Sequence, residues 1–82
     1  MTQVSSTQID QTLDITGDIC PMTFVRTRLA LDRLASGKNL LVLLRGAEPI
    51  RNVPATAQQQ GHVILAQTMT EGGIMRLLLQ RK

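Results

Sequence analysis

The sequence predicts an α/β two-layer sandwich, in which a mixed four-stranded sheet carries two helices on one face in the order βαβαββ. The prediction rests on three observations. Strand-like apolar patterns occur near both ends of the chain, two stretches between them show helical spacing, and glycines stand at the boundaries. Right-handed crossovers then place both helices on the same side of the sheet. At 82 residues, we expect a flexible tail over residues 1–10 and a single domain over residues 11–82.

The first half of the chain predicts a strand, a turn and a long helix. Residues 11–16 are typical of a strand because Leu13 and Ile15 alternate with polar neighbours. After a Gly-Asp turn, a helix is predicted over residues 21–36, ending at Gly37. The helix face expected to meet the sheet consists of Phe24, Thr27, Leu31, Leu34 and Ala35.

The second half predicts one more helix and three more strands. The unalternating run Leu40–Leu44 favours a central strand that is covered on both sides or shielded by neighbouring loops. The following elements are predicted in chain order as a loop over residues 45–49, a short helix over Pro54–Gln60, a strand over Val63–Thr70, a hairpin turn over residues 71–73 and a strand over Ile74–Gln80.

Composition narrows the classes of function. The net charge of +3 suggests nucleic acid, but the chain has no Trp, no Tyr and one Phe, so it lacks aromatic platforms for stacking bases. Nucleic acid is therefore not the expected partner, and no apolar run is long enough to span a membrane. A single cysteine excludes an internal disulfide and favours a reducing compartment, the cytoplasm. Cys20 and His62 cannot form a zinc site alone, and we expect His62 to be a solvated loop residue.

Cys20 is the candidate reactive residue because of its position before Pro21. If Cys20 caps the helix and Pro21 is its first residue, the sulfur lies near the N–H groups of Met22 and Thr23. The positive end of the helix dipole then favours the thiolate and lowers the thiol pKa by roughly one unit from about 8.5. Asp18 opposes this effect if its carboxylate points inward. The alternative is an inert, buried cysteine.

The chemistry open to this thiol is limited. The single histidine has no acidic partner with which to form a hydrolase triad, and no second cysteine could close a disulfide. A lone activated thiolate can still take a sulfane sulfur atom from a donor persulfide, hold it as a persulfide, and yield it to an acceptor. Neither a metal nor a cofactor is expected.

A set of residues spread over residues 11–82 matches a known pattern. The set is Leu13-Asp14, Gly17, Cys20-Pro21, Arg28, Leu31, Leu34, Gly37, Glu48-Pro49 and Asn52-Val53-Pro54. In this order it resembles the TusA/SirA-like sulfur-carrier (sulfurtransferase) family. The resemblance implies a βαβαββ sandwich and a carrier rather than a stand-alone turnover enzyme. It implies that Cys20 takes sulfur from a cysteine desulfurase or rhodanese-type donor protein and passes it to an acceptor protein. Arg28 is similar to the family's basic residue on the first helix, and we expect a monomer.

The chain departs from the family pattern beside the cysteine. The family usually has Cys-Pro-x-Pro, whereas Thr23 occupies the fourth position here. Because proline lacks an N–H group, we hypothesise that Thr23 supplies an additional donor to the sulfur. Close by, the exposed side of the first helix carries an apolar stripe of Met22, Val25 and Leu29 next to Arg26. This stripe either packs under the N-terminal tail or another molecule, or forms a docking patch for partners.

A second class of function uses the basic residues instead of the thiol. The chain could be a non-catalytic regulatory or RNA-contacting module that binds through Arg26, Arg33, Arg45, Arg51 and Arg76. The two classes differ in one observable, because only the carrier gains a sulfur atom on Cys20 from a persulfide donor.

Overall fold

The computed structural model describes residues 8–19 and 21–82 and confirms the predicted order of elements. Residues 1–7 of the predicted tail, and Cys20 itself, lie outside the described residues. In the described part no helix has the length and apolar character needed to cross a membrane. The elements are β1 (Gln11–Asp14), α1 (Met22–Arg33), β2 (Asn39–Arg45), α2 (Ala47–Gln59), β3 (Val63–Met69) and β4 (Ile74–Gln80), with a 3₁₀ turn at Glu71–Gly73.

The strands form one mixed sheet in the order β1-β2-β4-β3. β1 and β2 are parallel, whereas β4 is antiparallel to both β2 and β3. Both helices follow parallel strands and therefore begin at the same end of the sheet. Asp10 and Gln8, which the sequence placed in the tail, extend this pairing, since the Asp10 N–H donates to the Asn39 carbonyl at 3.0 Å and the Asn39 amide donates to the Gln8 carbonyl at 2.6 Å.

The core lies between the two helices and one face of the sheet. In β2 and β4, Val42 pairs with Leu77 and Leu40 with Leu79, and all four are fully buried. Alternate residues of β4 are half-buried or exposed, as expected for a strand with one covered face. The core comprises Ile15, Ala30, Leu31, Leu40, Val42, Leu44, Val53, Ala57, Met75, Leu77 and Leu79.

The end of α1 differs from the prediction. The helix ends at Arg33 and Leu34 is extended, so the predicted end at residue 36 is wrong. The Arg81 guanidinium, from the end of the chain, donates to the Asp32 carbonyl at 2.9 Å and also to the Leu34 carbonyl. A cation that binds the last carbonyls of a helix stabilises its terminus, so a distant residue decides where α1 stops. Ala35, predicted on the buried face, is consequently exposed.

The start of α2 also differs from the prediction. The helix begins at Ala47, seven residues before the predicted start, and residues 47–49 belong to it rather than to a loop. Pro49 lies in the first turn, where its missing N–H has no intrahelical partner to lose. Pro54 lies inside the helix and is buried together with Val53. Burial in the core therefore outweighs the hydrogen bond that Pro54 cannot donate.

The strand boundaries agree with the sequence more closely. β4 has the predicted bounds, and β3 ends one residue early at Met69. Gly72 and Gly73 both adopt positive φ, 82° and 76°, which explains the pair of glycines in the hairpin turn. β1 ends two residues early because the Asp14 carboxylate accepts hydrogen bonds from the N–H and hydroxyl of Thr16, at 3.0 and 2.7 Å.

His62 is buried, so the prediction of a solvated loop histidine is wrong. Its N–H donates to the Ala57 carbonyl at 3.1 Å, and its Nδ1 accepts a hydrogen bond from the Lys82 N–H at 3.3 Å. An accepting Nδ1 requires the tautomer with the proton on Nε2. Burial, together with the charges of Lys82 and Arg81, lowers the pKa of His62 below its usual 6.5.

This lowered pKa predicts a loss of stability at mildly acidic pH. Around pH 6.5 the unfolded chain binds more protons at His62 than the folded chain does, so its contribution to stability is complete above that pH and is lost as the pH falls toward the folded pKa. Urea unfolding at about pH 7.5 and about pH 5.5 should give a lower midpoint at the acidic pH. His62→Gln should reduce this difference; an unchanged difference would show that another group causes it.

Candidate functional site

The candidate site lies where β1 leads into α1, in the segment around Cys20. Cys20 is outside the described residues, so its surroundings are defined by the residues on either side. Ile19 is 78% exposed and Pro21 is also exposed. An isoleucine that is open to solvent within a turn is uncommon, and it places an apolar contact surface immediately before the cysteine in the chain.

The start of α1 corrects the predicted cap. The first helical hydrogen bond runs from the Val25 N–H to the Pro21 carbonyl at 3.2 Å, so Pro21 is the N-cap and Met22 the first helical residue. Cys20 therefore stands one position before the cap. The Met22 N–H donates to the Ile19 carbonyl at 2.8 Å. The predicted position of the sulfur near the N–H groups of Met22 and Thr23 lies outside the described residues. The dipole of the 12-residue helix remains as the source of positive potential at this end.

Asp18 forms an ion pair with Arg26, one turn into α1. The Arg26 guanidinium donates to the Asp18 carboxylate at 2.5 Å, and the two side chains are 42% and 26% exposed. The pair therefore joins the segment before residue 20 to the helix after it. From the sequence, the Asp18 carboxylate would oppose thiolate formation if it pointed inward. In the structure its negative charge is balanced by the Arg26 guanidinium.

Breaking this pair should change the reactivity of Cys20. Arg26→Glu places two carboxylates beside the segment and should raise the thiol pKa, which slows alkylation at neutral pH by about threefold to tenfold. The double variant Asp18→Arg with Arg26→Glu re-forms the pair in reverse and should restore the rate. The measurement is the iodoacetamide rate against pH. A single variant that alkylates at the wild-type rate would show that the pair does not act on the thiol.

The apolar stripe of α1 is exposed in the structure. Met22, Val25 and Leu29 are 47%, 43% and 49% exposed, and no described residue covers them fully. Together with Ile19 they form what we call the thiol-side patch. Exposed apolar side chains grouped on one surface are typical of a contact site for another protein.

A groove beside Ile19 separates the site from the start of α2. Its volume is about 310 Å³, and it is lined by Asp18, Ile19, Arg45, Gly46, Ala47, Glu48 and Pro49. Arg45 also donates to the Gly72 carbonyl at 3.4 Å, which ties the β3–β4 hairpin to this end of the sheet. The sequence analysis did not predict Ile19 at this site, and it considered Arg45 only for the alternative function and Glu48 only as part of the family pattern. For Ile19 a signal was available, since an apolar residue stood in an otherwise polar turn.

Two predicted supporting residues lie away from the exposed surface around residue 20. Thr23 is fully buried, and its carbonyl accepts a hydrogen bond from the Thr27 hydroxyl at 2.7 Å. Arg28 lies six residues into α1, roughly 9 Å along its axis, and faces Asp32 at 4.0 Å. It lines an apolar groove between α1 and α2. The structure thus joins Asp18 to Arg26 by an ion pair and leaves Pro21, Met22, Val25 and Leu29 exposed at the start and along one side of α1.

The basic residues of the alternative function do not share one surface. Arg26 and Arg33 lie on the helical layer, whereas Arg76 alternates with buried Leu77 in β4 and so faces the opposite side of the sheet. A nucleic-acid interface needs its cations along one face. This distribution gives the RNA-contacting alternative no structural support.

Comparison with known proteins identifies related chains. The family model described as Sulfurtransferase TusA matches residues 11–81. The chain is 36% identical over 72 residues to the "putative sulfur carrier protein YrkI" of Bacillus subtilis, covering 88% of this chain and 95% of that one. It is 32% identical over 72 residues to the "putative sulfur carrier protein YedF" of Escherichia coli K12, covering 88% and 92%.

A solved structure shows the same fold. The crystal structure of a SirA-like protein from Desulfitobacterium hafniense matches with a TM-score of 0.76 over 85% of this chain and 95% of that one. The sequence identity is 22%, so the match concerns the arrangement of the four strands and two helices.

Proposed function

Since this chain belongs to the TusA sulfurtransferase family, we propose that it is a sulfur carrier that accepts sulfane sulfur as a persulfide on Cys20 and relays it to an acceptor protein. The supporting observation is the position of the only cysteine, between exposed Ile19 and the start of α1. The residues on either side of it, Ile19 and Pro21, are exposed, and the positive end of the α1 dipole begins at Pro21. The free thiol suits the cytoplasm.

The proposed step is an exchange between two sulfur atoms. The Cys20 thiolate attacks the outer sulfur of a donor cysteine persulfide, the donor S–S bond breaks, and the donor leaves as a thiolate. One S–S bond forms as one breaks, so neither an oxidant nor a reductant is consumed. Delivery repeats the exchange with the acceptor as nucleophile. A single cysteine suits this role because no second thiol in the chain can release the sulfur early.

The thiol-side patch is the proposed docking surface for donor and acceptor. Both must bring a sulfur atom into contact with Cys20 and then leave, which favours a small and transient interface. Met22, Val25 and Leu29 supply apolar area, and Arg26 lies beside them. We propose a cysteine desulfurase or rhodanese-type donor, because both carry a persulfide on a cysteine.

The test of the function is sulfur loading. The protein is incubated with a persulfide donor and its intact mass is measured, with and without prior alkylation by iodoacetamide. The proposal expects a gain of one sulfur atom, reversed by a reductant and prevented by alkylation. A protein whose mass stays constant while it binds RNA would instead be the regulatory or RNA-contacting module.

Thr23 offers a test of how the thiol is activated. Thr23→Pro restores the usual family motif and removes one N–H from the first turn of α1, so we expect the Cys20 thiol pKa to rise. The pKa is obtained from the alkylation rate as a function of pH. Thr23→Ala, which also loses the hydroxyl but keeps the backbone N–H, serves as the control. An unchanged pKa in Thr23→Pro would discard the role of Thr23.

A further inference from the structure

One long stretch of the chain carries no charged residue. No Asp, Glu, Lys or Arg occurs in residues 52–70, although 18% of the whole chain is charged. These residues form the second half of α2 and all of β3. They are not hidden, since Ala55, Gln58 and Gln59 of α2 and six of the seven residues of β3 are exposed.

β3 lies at the end of the sheet and pairs with β4 along one side. Its exposed side chains include Val63, Leu65 and Met69, at 47%, 40% and 56%. Exposed edge strands are usually blocked by charge, by proline or by being short. β1, the opposite edge, has four residues and ends at Asp14, whereas β3 has seven residues with neither charge nor proline. β3 therefore lacks charge, proline and shortness as means of preventing further strand pairing, and its one irregularity, between Ile64 and Ala66, leaves the second half of the strand regular.

The ladder shows which backbone groups of β3 are available. The Thr70 N–H donates to the Ile74 carbonyl at 2.8 Å, across the β3–β4 pair. Along an antiparallel strand, the backbone N–H and C=O groups of successive residues point alternately to one side and the other. Those of Thr68 therefore also point toward β4, whereas those of Gln67 and Met69 point away from it. The register shifts between Ile64 and Ala66, which limits the regular run to the second half of the strand.

We propose that β3 pairs antiparallel with β3 of a second copy of this chain, with the two-fold axis at Gln67. This register uses the outward backbone groups of Gln67 and Met69 and sets the two Gln67 residues opposite each other on the axis. Each molecule has a net charge of +3, so two copies repel each other on average. Because β3 itself has no charged residue, pairing through β3 does not place like charges of the two strands opposite each other. An interface of one strand pair is small, so the dimer dissociates on dilution to the monomer that the sequence predicts.

The proposed dimer keeps the two thiols apart. β3 and β1 are at opposite edges of the sheet, and β1 leads toward Cys20. In a continuous eight-stranded sheet the two β1 strands lie about 34 Å apart, at roughly 4.8 Å per strand spacing. Pairing through β3 therefore neither covers the β1 edges nor brings the two cysteine segments together.

Sedimentation equilibrium tests the proposal, with Cys20→Ser and a reductant excluding disulfide-linked dimers. From about 10 µM to about 1 mM the protein should pass from monomer to dimer. Gln67→Lys sets two cations opposite each other on the axis and should weaken the dimer about fivefold or more, as should Gln67→Glu with two anions. An equimolar mixture of these two variants should form a heterodimer. Gln11→Lys, the same change on exposed β1, is the matched control and should dimerise as the wild type does.

Three results would overturn the proposal. A monomer at every concentration would show that the β3 edge does not pair with itself, as when it serves an extended segment of a different protein. Equal weakening by Gln11→Lys and Gln67→Lys would reveal a general effect of net charge. Failure of the mixed variants to associate would exclude a two-fold axis at Gln67. None of these outcomes depends on sulfur loading, so they leave the proposed carrier function unaffected.

Discussion

Cys20→Ala is expected to abolish both sulfur loading and sulfur transfer while the fold is retained. The exchange needs a thiolate that attacks the donor persulfide and then holds the sulfur, and the chain contains no other thiol. The thioethers of its four methionines cannot replace it, because a thioether has no ionisable S–H. Intact-mass measurement should show no added sulfur, and delivery to an acceptor should fall to the level seen without the protein.

The control for this prediction removes a different sulfur atom. Met69→Leu deletes the thioether of an exposed residue on β3, at the opposite sheet edge from β1, and should load sulfur at the wild-type rate. Circular dichroism should be the same for all three proteins. If Cys20→Ala still gained a sulfur atom, that atom would have to be bound at a residue other than Cys20. This result would disprove the proposed persulfide on Cys20, whatever the circular dichroism shows.

Leu77→Ala is expected to remove a large part of the folding free energy. Leu77 is fully buried in β4, between Val42 and Gln67 in the sheet register and beneath the helices. Truncating a buried leucine leaves a cavity and costs about 2–5 kcal/mol. Native domains gain about 0.05–0.15 kcal/mol per residue, which for this length amounts to about 4–12 kcal/mol. The free energy of unfolding from urea titration should fall accordingly.

Leu65→Ala is the matched control for the core prediction. The same atoms are deleted from a side chain that is 40% exposed on β3, so we expect a loss below about 1 kcal/mol. Both variants should be measured at low protein concentration, where self-association does not contribute. If the two variants lost equal stability, Leu77 would not occupy the tightly packed centre that the structure describes.

Local patterns were sufficient for much of the fold. The run Leu40–Leu44 and the alternation over Ile74–Gln80 predicted the two central strands, and a glycine pair predicted the turn before the latter. Such signals depend on periodicity and on the conformations that glycine alone adopts freely, both properties of neighbouring residues. The start of α2 was predicted wrongly because Pro54 was taken as an early position of the helix, whereas the helix begins at Ala47, with Pro49 in its first turn and Pro54 buried inside it.

The candidate site was only partly predictable for a related reason. The exposed stripe of Met22, Val25 and Leu29 followed from helical spacing, and the structure confirms its exposure. The direction of the Asp18 carboxylate could not be deduced, because it depends on an ion pair with Arg26. The exact first residue of α1 could not be predicted either, because proline is compatible with both the N-cap and the first helical position.

The sequence by itself thus determined the order of elements, the central strands, the apolar stripe and the family resemblance centred on Cys20. Only the tertiary structure decided where α1 ends, where α2 begins, that His62 is buried and that β3 is an uncharged, open edge. The physical reason is distance along the chain. Periodicity and turn conformation arise between residues a few positions apart, whereas Arg81 reaches Leu34 and Lys82 reaches His62 only once the strands have paired.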